Sequence, residues 1–111
     1  MISIKIHKTY RDVVAICDSK LIGKYFVSQA SDDLGKSSKE GKFQLDVKES
    51  FFKGEEISEE KATQILKDME REDATFNIIG ERAVNCALNA GIISQKGIKK
   101  IQGVPFALVL L

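Results

Sequence analysis

The chain of 111 residues contains no tryptophan, one proline, one histidine and two cysteines. Each shortage excludes something. A single imidazole cannot build a usual zinc site, which draws on several His or Cys ligands. Cys17 and Cys86 lack the CxxC spacing of zinc ribbons and thiol redox centres, so they read as free thiols in a reducing cytoplasm. Without tryptophan, aliphatic side chains and 6 Phe must fill the core. Neither sign of charge dominates: 17 basic against 16 acidic residues give +1, which removes global attraction to nucleic acid or an anionic membrane and leaves only local patches. Long hydrophobic runs are missing too, since the stretch Val104 to Leu111 contains Pro105 and falls far short of the roughly 20 residues that span a bilayer. The start of the chain alternates like a strand and lacks a basic-then-apolar leader, so no export signal is expected. The repeated glycines of a dinucleotide fingerprint or a Walker A loop are absent. No motif with an established chemical mechanism appears, and no cofactor or metal is implied.

What is present is ordinary globular material, 43% hydrophobic and 30% charged. A chain of this length is expected to form one domain and to bury about two thirds of its unfolded surface. Its centre is the stretch from Thr75 to Ala90. Phe76, Ile78 and Ile79 form a short apolar run of strand type. After Gly80 the period changes: Ala83, Val84, Ala87, Leu88 and Ala90 share one side of a helix, because each residue advances about 100° around the axis. Arg82, Asn85 and Asn89 fall on the other side as a narrow polar stripe. Gly91 stands where a helix commonly ends in the left-handed conformation.

Around this unit the sequence predicts further elements. Ile2, Ile4 and Ile6 alternate with polar residues as a strand with one buried face. Val13 to Cys17 is a second strand, and the short segment between them predicts an antiparallel hairpin. If His7 stands opposite Val13, Cys17 stands opposite Ser3, so His7 and Cys17 lie roughly 13 Å apart, too far for a thiol and its base. Cys17 is therefore expected to be a buried small apolar residue, and His7 a hairpin-end residue. The serine-rich segment 27–42 has little apolar content and is expected to be a mobile loop. Phe43, Leu45 and Val47 alternate as a third strand, which Phe51 to Gly54 ends. Ser58 caps a helix whose buried face is Ala62, Ile65, Leu66 and Met69, with Glu59 and Glu60 in its first turn. The run from Phe106 to Leu111 predicts a final strand buried on both faces. Together these predict an α+β fold, a single domain with a small mixed β-sheet and two main helices packed on it.

Three functional readings follow from the residues. In the first, the stripe Arg82, Asn85 and Asn89, together with Lys24, is the surface of a non-catalytic binding module. In the second, the strand-glycine-helix junction presents free backbone N–H groups to an anion, and Gly80, Glu81, Arg82 and the Asp18 turn form a ligand site or a small active site. The bland alternative is a tight structural turn at Gly80, with Glu81 matched to the helix dipole. The third is a homo-oligomeric structural protein joined through an edge strand or an exposed Phe51 or Phe52.

Cys17-Asp18 followed by Leu21-Ile22-Gly23-Lys24, then Gly80-Glu81-Arg82-Ala83-Val84, Ala90-Gly91 and Gly103-Val104-Pro105 together resemble the small archaeal proteins grouped as the domain of unknown function 424. The resemblance spans nearly the whole chain, and the chain departs from it by a longer serine-rich segment after Lys24. It implies an archaeal cytoplasmic protein. Family members look as if they travel with translation genes, which implies RNA or a translation-associated protein as the partner and carries no mechanism.

Overall fold

The computed structural model describes residues 1–28 and 44–110. The N-terminal hairpin joins β1 (Ile2–His7) to β2 (Val13–Asp18). Their antiparallel register sets His7 opposite Val13 and Ser3 opposite Cys17, as the loop length predicts. After β2 come a single 3₁₀ turn, Ser19–Leu21, and the short strand β3 (Tyr25–Val27), which pairs with β4 (Gln44–Asp46) as a separate two-stranded ribbon. Residue 27 therefore belongs to a strand, and apart from Val27 and Ser28 the expected serine-rich loop lies outside the described residues. Phe43 does too, so the third strand of the sequence reading is seen from Gln44 onward.

The chain continues through α1 (Glu49–Phe52), β5 (Glu55–Ile57), α2 (Glu59–Arg71), β6 (Thr75–Ile79) and α3 (Glu81–Ala90), and closes with β7 (Lys99–Ile101) and β8 (Val104–Val109). Six of these strands form one mixed sheet in the order β5-β1-β2-β6-β8-β7. Its centre is the parallel pair β2 and β6, while every other neighbouring pair is antiparallel. This is the α+β architecture expected.

Alternation along the strands divides the core in two. Ile2, Ile4, Val14, Ile16, Phe76 and Ile78 point to the face covered by α2 and α3, where they meet Ala62, Leu66, Ala83 and Ala87. On the opposite face Ala15, Cys17 and Ile79 meet Leu45, Val47 and Phe52. α2 starts as predicted, with Ser58 Oγ accepting the Lys61 N–H at 3.2 Å. α3 stops as predicted, at Gly91 with φ 78°.

Two expectations need correction. Neither Phe51 nor Phe52 is the exposed contact that the homo-oligomer reading drew on: both lie on a helical turn, Phe52 is buried, and Phe51 is half-buried and stacks on His7 with centroids 4.5 Å apart. This turn is tied to β1 through three successive carbonyls. Ser50 O accepts from Lys5 Nζ at 2.8 Å, Phe51 O from His7 Nε2–H at 2.9 Å and Phe52 O from Ser3 Oγ at 2.9 Å. A carbonyl can only accept, so Nε2 carries the histidine proton. The second correction concerns β8, which is not buried on both faces. Ala107 is buried against the helices and Phe106 packs partly against the second cluster, but Leu108, on the same face as Phe106, remains 56% exposed.

Candidate functional site

The parallel strands β2 and β6 end side by side, Cys17 opposite Ile79, and Asp18 and Gly80 are the residues that leave them. Crevices at the carboxyl ends of parallel strands are where open sheets commonly take ligands. Here the junction is closed from within. Asp18 is only 3% exposed, and its two carboxylate oxygens accept the backbone N–H groups of Arg82 (3.2 Å) and Ala83 (2.9 Å). The first turn of α3 is thus capped by a carboxylate from the neighbouring strand, in place of the N-cap side chain that Gly80 lacks.

Gly80 is required by that arrangement. Its φ of 113° lies where side chains are rarely tolerated, and a Cβ on it would lie 2.5 Å from Asp18 Cγ and 2.6 Å from Oδ1. The space a side chain would take holds the Asp18 carboxylate. Two of the N–H groups on which an external anion site would depend are therefore already committed, and Val84 N–H bonds Gly80 O at 2.9 Å.

Above this closed junction lies an open crevice of about 330 Å³, lined by Asp18, Lys20, Glu59, Glu81, Arg82 and Asn85. Asp18 and Glu81, predicted to matter together, do share one cavity wall. Arg82 reaches across it to Glu59 Oε2 at 2.7 Å; with side chains 59% and 46% exposed, the pair is solvated and opens readily to a competing partner. On the far side of Glu81 and Asn85 a second cleft of about 230 Å³ runs between α3 and the β7–β8 hairpin. Val84, Leu88, Ile98 and Pro105 supply its apolar surface, and Gln95 and Lys100 its opposite polar rim. Glu81 and Asn85, four residues apart on α3, form the ridge between the two cavities.

Arg82, Asn85 and Asn89 are all exposed, as the helical periodicity predicts. Asn89 stands one turn beyond Asn85 and lines neither cavity, and Lys24 is exposed beside β4, where its carbonyl accepts the Val47 N–H at 3.0 Å. Sequence reasoning missed Lys20, Glu59 and Lys100 as neighbours of the stripe. Glu59 reads as a helix start, and nothing local in the sequence announces that β7 folds back beside α3.

Neither thiol is placed for chemistry. Burial, reinforced by the adjacent Asp18 carboxylate, pushes the Cys17 thiol up to about 12, and burial likewise raises Cys86. Among the described residues no group of three His, Cys, Asp or Glu side chains is arranged to hold a metal ion, and no helix is long and apolar enough to cross a membrane.

The fold and the cavities define an α+β domain whose central helix presents a polar ridge between two surface clefts. Residues 27–111 match the family described as "Protein of unknown function (DUF424)", and the chain belongs to that family. Its fold is similar to that of an uncharacterized conserved protein from Methanopyrus kandleri, with a TM-score of 0.77 and 22% sequence identity over 97% of this chain and 89% of that one. No curated protein matches it.

Proposed function

We propose that this protein is a non-catalytic binding module that presents the outer face of α3 to RNA, one of the two partners, RNA or a translation-associated protein, that the family resemblance implies. The observation that carries the reading is the exposure of the Arg82, Asn85 and Asn89 stripe on a helix whose other face is buried. Lys20 and Lys100, one in each cleft, extend the stripe into a row of donors that can reach phosphates, while the amides of Asn85 and Asn89 offer both donors and acceptors to base edges. The groups best suited to chemistry are engaged elsewhere: Asp18 holds the start of α3, Arg82 meets Glu59, and the thiols stay protonated at neutral pH.

Glu59 and Glu81 lie in the same row, so affinity is expected to be modest. With Lys20, Arg82 and Lys100 each meeting a phosphate, log K against log salt should fall with a slope of about −2 on single-stranded RNA. Filter binding and co-sedimentation with ribosomal subunits at two salt concentrations test this. Retention that weakens with salt and is lost in an Arg82→Ala/Asn85→Ala/Asn89→Ala variant is the expected result, and no retention at low salt overturns it. Retention on ribosomal protein but not on RNA would move the partner to a translation-associated protein.

A further inference from the structure

The second cleft borders the polar stripe at Asn85 but adds an acidic group, a basic group and apolar side chains of its own. Its two charged groups face each other across it from different elements. Gly80 N–H donates to Pro105 O at 2.8 Å, which brings the start of α3 to the β8 end of the hairpin, and Lys100 stands opposite Pro105 in the β7–β8 register. Glu81, next to Gly80, and Lys100 therefore flank the same residue, Pro105. Among the described residues neither makes an ion pair, although Arg82, between Glu81 and the other cleft, does.

Val84 and Leu88 follow Glu81 by about one and two turns of α3, and Ile98 lies just before β7, so apolar side chains line the cleft beside these charges, while Asn85 and Gln95 add uncharged polar groups. A volume of about 230 Å³ lies below the roughly 300–1,000 Å³ usual for sites that hold drug-sized ligands. That size suits one small molecule.

We infer that this cleft binds a free apolar amino acid as its zwitterion, the ammonium at Glu81, the carboxylate at Lys100, and the side chain against Val84, Leu88 and Ile98. Both charges of the ligand are matched by groups on different elements, Glu81 on α3 and Lys100 on β7, and its apolar part by Val84, Leu88 and Ile98. A ligand with only one charge leaves Glu81 or Lys100 without its partner, and one without an apolar side chain leaves those apolar side chains wet.

Titration of the ¹⁵N-labelled full chain by two-dimensional NMR tests the assignment, with L-leucine as the probe and N-acetyl-L-leucine, L-leucinamide and L-serine as the other arms. L-Leucine is expected to shift the amide signals of Val84, Leu88, Ile98 and Gly103 at millimolar concentration. Each singly charged analogue should bind about five- to tenfold more weakly, the loss of one charge-assisted contact, and serine should produce no saturable shift. Glu81→Gln and Lys100→Met, at exposed positions, should each lower leucine affinity by a similar factor without changing the rest of the spectrum. Absence of saturable shifts up to about 10 mM overturns the inference, as does equal binding of all four compounds or shifts confined to another surface. Lys100 is shared with the proposed RNA face, but the RNA variant replaces Arg82, Asn85 and Asn89 and this test turns on Glu81 and the apolar wall, so either experiment can fail without the other.

Discussion

Asp18 and Gly80 act as one device, because the carboxylate occupies the volume that a side chain at position 80 would need. Gly80→Ala has to relieve both the clash and a backbone conformation that only glycine adopts easily, and should cost about 2–4 kcal/mol in urea unfolding. In an Asp18→Ala background the clash part disappears, so the two substitutions should be less than additive. Asp18→Ala alone leaves the Arg82 and Ala83 N–H groups unpaired near the core and should cost about 2–3 kcal/mol, whereas Asp18→Asn keeps one acceptor and should cost less. The buried thiol at Cys17 supports a second prediction at this scale. Its pKa rises from 9.0 to about 12 on folding, so its contribution to stability is complete below pH 9 and is lost as pH climbs toward 12. Across that window Cys17→Ala should flatten the fall of unfolding free energy by up to about 1.4 kcal/mol per pH unit. The same protonation should leave Cys17 unlabelled by thiol reagents near pH 8 until the chain is unfolded.

Elements with a strong period or a recognisable end were legible from the sequence, and the short ones were not, apart from β4, where Leu45 alternates with Gln44 and Asp46. α2 announces itself by Ser58 and the spacing of Ala62, Leu66 and Met69, and Ser58→Ala should lower stability by about 1 kcal/mol on thermal or urea unfolding. α3 is equally readable because its buried and exposed residues separate at helical spacing and Gly91 closes it. β3, β5 and β7 are three residues each, too short to show alternation, and two of them are half or more charged: Glu55-Glu56-Ile57 and Lys99-Lys100-Ile101. The one available signal for β7 is Gln102-Gly103 between Ile101 and Val104. Both residues have positive φ, 51° and 78°, which makes a two-residue hairpin turn of the primed kind. The stripe of the candidate site was legible because it lies on one helix. The clefts on its two sides were not, because they depend on β2, α2 and β7 arriving beside it from distant parts of the sequence.

At the scale of the whole molecule the two rims of the six-stranded sheet carry opposite charges, Glu55 and Glu56 on β5 and Lys99 and Lys100 on β7. Each rim repels its own kind, a common defence against edge-to-edge pairing. Replacing Glu55 and Glu56 by Val should therefore produce concentration-dependent self-association by light scattering, with little change in helical content. The middle of the sheet carries a different liability. β2 and β6 pair in parallel from Val13↔Thr75 to Cys17↔Ile79, so the central ladder joins the first fifth of the chain to a segment made much later. During translation β2 lacks its parallel partner until residue 79 has left the ribosome, and β6 in turn waits for β8. Before then Val14 and Ile16 lack the cover of α3 and the flanking β6, and a chain stalled at that point should be a substrate for chaperones or proteases rather than a folded intermediate.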